Sequence, residues 1–207
     1  MKQIAVFASG GGTDFQSIID ANERENFCQI KYLVASKPGI GAIDRAKKAG
    51  IEVLVYDKNL NPDKADFYKT LTQVFNSVGI DYIVLAGWLL IVPKDFIESF
   101  EDKIINIHPA LLPSFGGKGY YGLHVHKAAL DYGVKVSGAT VHFVEADVDG
   151  GAIIMQRAVP VEDGDTPESL QARILKEEHK ILPLCVKLLC EGKVVKTGRK
   201  VRVLEGK

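Results

Sequence analysis

The sequence lacks the features typical of secreted, membrane-bound or strongly charged proteins. Its three cysteines, Cys28, Cys185 and Cys190, form no C-x-x-C pair and no even-numbered framework, which favours buried thiols in the cytoplasm. Lys plus Arg and Asp plus Glu each total 26, so no net charge attracts a nucleic acid or an anionic membrane. The longest apolar run, 83–92, is too short to cross a bilayer, and no signal peptide precedes the first apolar run. We therefore expect a cytoplasmic protein with neither nucleic acid nor membrane among its partners.

The first hundred residues contain short apolar runs that alternate with helical segments. Such alternation predicts a parallel sheet with helices on both faces, whose strands are buried on both sides. Strands are predicted at 4–7, 30–35, 51–56, 82–86 and 103–107, and helices at 15–21, 42–49, 62–77 and 93–100.

After residue 108 the pattern changes. Two apolar runs, 136–144 and 153–159, are too close in sequence for a helical crossover and are predicted to pair antiparallel. A helix is predicted at 124–132, and a longer one at 167–190 has Thr166 as its N-cap. We predict an α/β fold: a Rossmann-like, mostly parallel twisted sheet with helices on both faces and an antiparallel C-terminal strand pair. The single domain 1–207 would comprise a phosphate-binding half at about 1–108, a folate-binding and catalytic half at about 109–192, and a basic peripheral tail at 193–207.

Three consecutive glycines, 10–12, connect the first predicted strand to the first helix. This arrangement presents the free amides of a helix N-terminus to an anion. A dinucleotide fingerprint would need glycine at Phe15 and an acidic residue after the second strand, and a P-loop would need Gly-Lys-Ser/Thr; all of these are missing. A single phosphate monoester is therefore the expected ligand, and a purely structural turn is the alternative. Its predicted contacts are the amides of Gly12, Thr13 and Asp14 and the hydroxyl of Thr13.

A polar pair follows the fifth predicted strand. Asn106 and His108 are two residues apart, so they face the same side at the carboxyl end of a strand, where open α/β sheets bind ligands. An amide can donate to a developing oxyanion, and an imidazole can transfer protons near neutral pH. Asp149 precedes a Gly-Gly turn, and a carboxylate near His108 would raise the pKa of that imidazole. Ordinary roles as a strand-end hydrogen-bonding pair and a turn former are the alternatives.

The stretches "SGGGT", "INIHPALLP" and "HFV…DGG", in this order, resemble the folate-dependent formyltransferases from about residue 2 to 192. "AGW" and "KEEHKILPL" are similar to the branch that formylates 5'-phosphoribosylglycinamide (GAR) in purine biosynthesis. The resemblance implies a formyl transfer from 10-formyltetrahydrofolate, as co-substrate, to the GAR amine, without a metal. It also implies that Asn106 stabilises the oxyanion, that His108 is the acid and proton shuttle, and that Asp149 raises the pKa of His108 and keeps it charged.

The resemblance also implies two binding surfaces. The GAR phosphate would bind at Gly12, Thr13 and Asp14, and the ribose hydroxyls at Glu178. The folate would contact Lys64, Leu89, Leu90, Ile91, Val92, Asn106, Glu145, Ala146, Asp147, Val148 and Asp149.

Some positions depart from the usual family pattern. Asp14 would repel a phosphate, so we expect its side chain to turn away and cap the first helix. Leu90 stands where many relatives have Arg, and the loop 114–122 is longer than in well-known relatives. That loop could contact substrate or a second subunit, and the chain could be a monomer or a homodimer.

Other function classes fit less well. Methionyl-tRNA formyltransferase adds a nucleic-acid-binding domain and formyltetrahydrofolate deformylase adds an N-terminal regulatory domain. We expect neither domain here, because the sequence has no net basic charge and its first predicted strand begins near residue 3; the sugar-nucleotide formyltransferases are a smaller alternative. A metal site is disfavoured because the imidazoles of His124 and His126 would point roughly 200° apart on a helix. A non-enzymatic phosphate-binding module would need the glycine loop but none of Asn106, His108 and Asp149.

Overall fold

The computed structural model describes residues 1–60 and 62–204; the last three residues of the predicted tail lie outside the described residues. The chain forms two compact units, Met1–Ile105 and Asn106–Lys207. The strands β1 to β7 follow the order β3-β2-β1-β4-β5-β6-β7 in a mixed sheet, and β8 pairs with β9. The predicted mostly parallel sheet with an antiparallel final pair is confirmed.

The first unit contains β1 (Lys2–Ala8), α1 (Thr13–Glu25), β2 (Cys28–Ala35), α2 (Gly41–Lys48), β3 (Glu52–Val55), α3 (Lys64–Val78), β4 (Tyr82–Leu85), α4 (Lys94–Ser99) and the start of β5 (Ile104–His108). Parallel pairing joins β1 to both β2 and β4, and β2 to β3. The apolar run 4–8 of β1 is fully buried, as expected for a strand covered on both sides.

An aromatic cluster fixes the segment that follows β4. The Trp88 ring packs edge-on against Phe7 with 5.0 Å between ring centroids. Its indole Nε1 donates to the Tyr68 hydroxyl at 3.1 Å. Because the polar atom of the indole is satisfied while its ring is buried, Trp88 is a rigid anchor for the exposed residues directly after it.

The second unit contains α5 (Leu123–Tyr132), β6 (Val136–Phe143), β7 (Ile153–Pro160), α6 (Pro167–Cys190), β8 (Val194–Thr197) and β9 (Lys200–Val203). The strands β6 and β7 pair antiparallel, as predicted. The predicted N-cap of α6 is also confirmed: Thr166 Oγ1 accepts from the Ser169 amide at 3.2 Å, and Ser169 Oγ accepts from the Thr166 amide at 2.9 Å. The β8–β9 hairpin was not predicted, because its short strands were assigned to a featureless tail.

No helix within residues 1–60 and 62–204 is both long and apolar enough to traverse a membrane.

Candidate active site

The carboxylate of Asp149 lies close to both polar residues of β5. Asn106 Nδ2 lies 3.5 Å from Asp149 Oδ1, and His108 Nδ1 lies 3.5 Å from Asp149 Oδ2. Asn106 is half-buried, and His108 is 4% exposed. Both contacts are long for hydrogen bonds, so the carboxylate acts on its two neighbours mainly through its charge. The three predicted catalytic side chains therefore do form one cluster.

His142 on β6 is a fourth member of this cluster that the sequence did not identify. Its Nδ1 donates to the Phe143 carbonyl at 2.7 Å, so its Nε2 is free to accept. Asn106 Nδ2 donates to that Nε2 at 3.1 Å. The same Nε2 lies 3.6 Å from Asp149 Oδ1. His142 therefore fixes which end of the Asn106 amide carries its hydrogens toward the cluster.

The long loop 114–122 supplies two backbone groups to the cluster. The Phe115 carbonyl accepts from His108 Nε2 at 2.8 Å, and the Gly117 amide donates to Asp149 Oδ2 at 2.9 Å. Phe115 has a positive φ of 52°, and its ring packs edge-on against Tyr120 and Tyr132. The loop thus contacts both His108 and Asp149 through its main chain, which no side-chain pattern in the sequence reveals.

Opposing effects set the His108 pKa. Burial lowers this pKa, the Asp149 carboxylate and the Phe115 carbonyl raise it, and His142 lowers it further; the result lies below the ordinary value. Asp149 acts in the predicted direction, but burial outweighs it because the imidazole is almost completely removed from water. That Asp149 keeps His108 charged during a reaction stays a prediction.

Asp149 itself is held in its charged form. Burial alone would raise the pKa of Asp149, but the nearby rings of His142 and His108 and the Gly117 amide hold it below its usual value. A carboxylate that stays ionised beside a neutral imidazole is ready to stabilise a positive charge as soon as that imidazole accepts a proton.

The residues after His108 are also fixed by a buried network. Thr140 Oγ1 donates to the Ala110 carbonyl at 2.6 Å and accepts from the Leu112 amide at 3.1 Å. Gln156 Nε2 donates to Thr140 Oγ1 and to the Leu112 carbonyl, both at 2.9 Å. The peptide bond between Leu112 and Pro113 is cis. These bonds hold the start of the loop 114–122 against β6 and β7.

In the first unit, the glycine loop enters α1 through a left-handed Gly12. Gly12 precedes α1 with a φ of 72°, and a Cβ placed on it would come within 2.7 Å of Ala42 Cβ. Glycine is therefore required at this position both by the backbone conformation and by the close approach of α2. Thr13 is exposed at the start of α1, so its hydroxyl and the first amides of the helix are available to a ligand.

Asp14 does not cap α1 as predicted. Gly12 occupies the N-cap position without a side-chain cap bond, and Asp14 lies within the first turn. Burial raises the pKa of Asp14 to about 6. Asp14 therefore takes up a proton at a higher pH than an ordinary aspartate, and its repulsion of a nearby phosphate weakens as the pH falls through about 6.

The predicted folate residues lie on two exposed segments, one in each unit. In the first unit, Leu89 and Ile91 are 58% and 60% exposed, and Lys64 Nζ donates to the Ile91 carbonyl at 3.0 Å. The Leu89 amide donates to Ser9 Oγ at 3.0 Å, which ties this segment to the end of β1. In the second unit, the loop 144–152 exposes Val148. Glu178, the predicted ribose ligand, is buried on α6.

The histidines of α5 lie in different environments, with His124 exposed and His126 buried. Among the residues that the structure describes, no group of three or more His, Cys, Asp or Glu side chains is arranged to hold a metal ion.

Comparison with known proteins identifies the class. Residues 2–186 match the model of the formyl transferase family, described as "Formyl transferase", and the chain belongs to that family. It is 37% identical over 195 residues to the phosphoribosylglycinamide formyltransferase of Haemophilus influenzae, covering 94% of this chain and 90% of the relative. It is 42% identical to the chloroplastic phosphoribosylglycinamide formyltransferase of Vigna unguiculata, but spans only 62% of the length of that relative.

Solved structures agree with this assignment. The glycinamide ribonucleotide transformylase 1 of Symbiobacterium toebii superimposes with a TM-score of 0.90 at 40% identity, covering 99% of this chain and 95% of the other. A formyltetrahydrofolate deformylase of Pseudomonas syringae has a TM-score of 0.86 at 23% identity, with 99% and 66% coverage, and this likeness concerns the fold alone.

Proposed function

We propose that the chain transfers the formyl group of 10-formyltetrahydrofolate to the amine of 5'-phosphoribosylglycinamide, which gives formyl-GAR and tetrahydrofolate for purine biosynthesis. The observation that carries this proposal is the convergence of Asn106 and His108 on the Asp149 carboxylate. The names of the relatives supply the substrates, and the cluster supplies groups that suit the chemistry.

In the first step, the GAR nitrogen attacks the formyl carbon and the carbonyl oxygen becomes an oxyanion. Asn106 directs one amide hydrogen at His142, and the second would exchange its long 3.5 Å contact with Asp149 Oδ1 for a hydrogen bond to that oxygen. Because His142 and the end of β5 already fix this amide, little reorganisation is needed when the charge develops. Loss of one such donor typically costs on the order of 3 kcal/mol in the barrier.

In the second step, the proton of the attacking amine reaches N10 of the folate as the bond between N10 and the formyl carbon breaks. The neutral His108 accepts this proton and returns it to N10, either directly or through water. An oxyanion next to the ring favours the imidazolium, and so does the ionised Asp149. The protonated ring is thus stabilised more in the tetrahedral intermediate than in the empty enzyme, which is the condition for catalysis.

The two substrates would bind at the surfaces defined above. The amides of Gly12, Thr13 and Asp14 and the Thr13 hydroxyl would hold the phosphate, and Glu178 would accept hydrogen bonds from the ribose. The pterin would lie along 89–92 and 145–149, where exposed apolar side chains alternate with backbone groups suited to its hydrogen-bonding edge. In this proposal 10-formyltetrahydrofolate is a co-substrate, and no step requires a metal.

The test is to mix the purified protein with 10-formyltetrahydrofolate, with and without GAR, and to measure tetrahydrofolate and formate. We expect tetrahydrofolate to form only when GAR is present, without release of formate. Formate release that does not need GAR would instead assign the protein as a hydrolase of the folate. Absence of turnover in both reactions, with protein shown to be folded by circular dichroism, would refute the transferase function.

A further inference from the structure

The β8–β9 hairpin contacts the loop that carries Asp149. Arg199 Nη1, in the hairpin turn, donates to the Gly150 carbonyl at 2.8 Å. Lys196 Nζ, on β8, lies 3.0 Å from Glu145 Oε1 and 5.5 Å from the centre of the Phe143 ring. The hairpin therefore holds the loop at its beginning and immediately after its catalytic carboxylate.

The loop combines a strained residue with exposed neighbours. Asp149 has a φ of 56°, a left-handed conformation that a residue with a Cβ adopts only at a cost in backbone strain. The Gly150 amide closes a turn with the Asp147 carbonyl at 3.0 Å, while the residues 146–148 are exposed. A loop with this strain and exposure can relax to other conformations unless other elements hold it in place.

The position of the Asp149 carboxylate must be held precisely. The Asp149 carboxylate must remain close to His108 Nδ1 and to the Gly117 amide at the same time. A displacement of about 1 Å at a catalytic group can cost about a hundredfold in rate. The donor of this hydrogen bond is the positively charged guanidinium of Arg199, so the bond is stronger than one that a neutral donor would make to the same carbonyl.

We propose that Arg199 is a positioning residue for the transfer reaction: its guanidinium fixes the Gly150 carbonyl and thereby the placement of the Asp149 carboxylate. This inference rests on the proposed function, because it assigns Arg199 a part in that reaction. Arg199 itself acts only through the loop.

The decisive comparison uses Arg199→Ala, Arg199→Lys and the matched control Lys200→Ala. Lys200 is the next residue on the same hairpin, is also exposed, and carries the same charge. We expect Arg199→Ala to lower kcat by about three- to tenfold. It should also raise the KM for the folate, because the loop 144–152 that the change releases is part of the proposed folate surface. The KM for GAR should stay unchanged, Arg199→Lys should restore most of the activity, and Lys200→Ala should behave like the wild type.

Equal kinetics for Arg199→Ala and Lys200→Ala would overturn the inference, whether both are active or both are impaired. A lower melting temperature of Arg199→Ala with an unchanged kcat would also overturn it, because the contact would then serve stability alone.

Hydrogen exchange gives a readout that does not depend on turnover. In Arg199→Ala we expect faster exchange of the amides in the segment 144–152, whereas Lys200→Ala should leave that exchange as in the wild type. Unchanged exchange in Arg199→Ala refutes the inference even if the transferase reaction is established. If the wild type shows no GAR-dependent turnover, the proposed function fails, and faster exchange in Arg199→Ala would show that the contact itself exists.

Discussion

His126 predicts a measurable loss of stability in mild acid. It lies on α5 with 1% of its surface exposed, and its Nδ1 has no hydrogen-bond partner among the residues that the structure describes. Burial, and secondarily the charge of His108, lower the pKa of His126 from 6.5 to about 4. The folded protein therefore keeps this ring neutral over a pH range in which the unfolded chain protonates it.

The direction of this pH effect on stability follows from proton uptake by His126 in the folded and unfolded states. Between pH 6.5 and pH 4 the unfolded state binds the proton and the folded state does not, so acidification favours unfolding. With these two pKa values, His126 lowers the free energy of unfolding by about 2 kcal/mol between pH 7.5 and pH 5. This loss of unfolding free energy is absent above the pKa of His126 in the unfolded chain and is complete below its pKa in the folded protein.

The assay is urea unfolding, followed by circular dichroism, at pH 7.5 and pH 5. His126→Leu removes the titrating ring, so its unfolding free energy should fall by about 2 kcal/mol less over this interval than that of the wild type. His124→Leu, an exposed change on the same helix, should retain the full loss. An identical pH dependence in the wild type and His126→Leu would show that the buried ring is protonated in the folded protein and would refute the reasoning.

Three further changes test the site. Asp149→Asn should lower kcat by about 10²- to 10⁴-fold and move the pH profile of kcat to lower pH, since His108 loses the charge that raises its pKa; an unchanged profile would contradict this role. Gly12→Ala should destabilise the protein by about 1–2 kcal/mol in urea and raise the KM for GAR, whereas Gly10→Ala, which meets nothing within 4 Å, should do neither. Gly116→Ala adds a methyl that overlaps the buried side chain of Leu112 and lies 3.3 Å from Asp149 Cβ, so it should displace the loop and lower kcat by about three- to tenfold; full activity would show that the loop tolerates displacement.

The regular alternation of apolar strand segments with helical segments made most of the fold predictable. The buried strands of the first unit are continuous apolar runs, and the short connection between β6 and β7 permits only an antiparallel pair. The convergence of Asn106 and His108 was predictable for a similar reason, because strand geometry fixes the faces of residues two apart. Asp149 required the resemblance, since an aspartate before two glycines is by itself only a turn signal.

What the sequence did not reveal depends on backbone groups and on burial. The Phe115 carbonyl and the Gly117 amide are backbone groups, which nearly every residue has, so the residue types do not predict their contacts. These contacts with His108 and Asp149 appear only in the folded loop. The net pKa of His108 depends on how much water is excluded from the ring, which no spacing rule measures. His142 could have been found, because it lies on a predicted strand next to the loop of Asp149.

The two carbonyls that hold the histidines have a consequence for every titration of this protein. Phe115 fixes His108 through Nε2, and Phe143 fixes His142 through Nδ1, so the two rings present opposite nitrogens to the two oxygens of Asp149. A proton taken up by His108 changes the field at Asp149, and the reverse is equally true. Proton uptake is then a property of this pair, and a curve followed by NMR at His108 describes macroscopic steps that the two groups share. The protonation states of this site can be counted, but they cannot be divided among individual residues without replacing them one at a time.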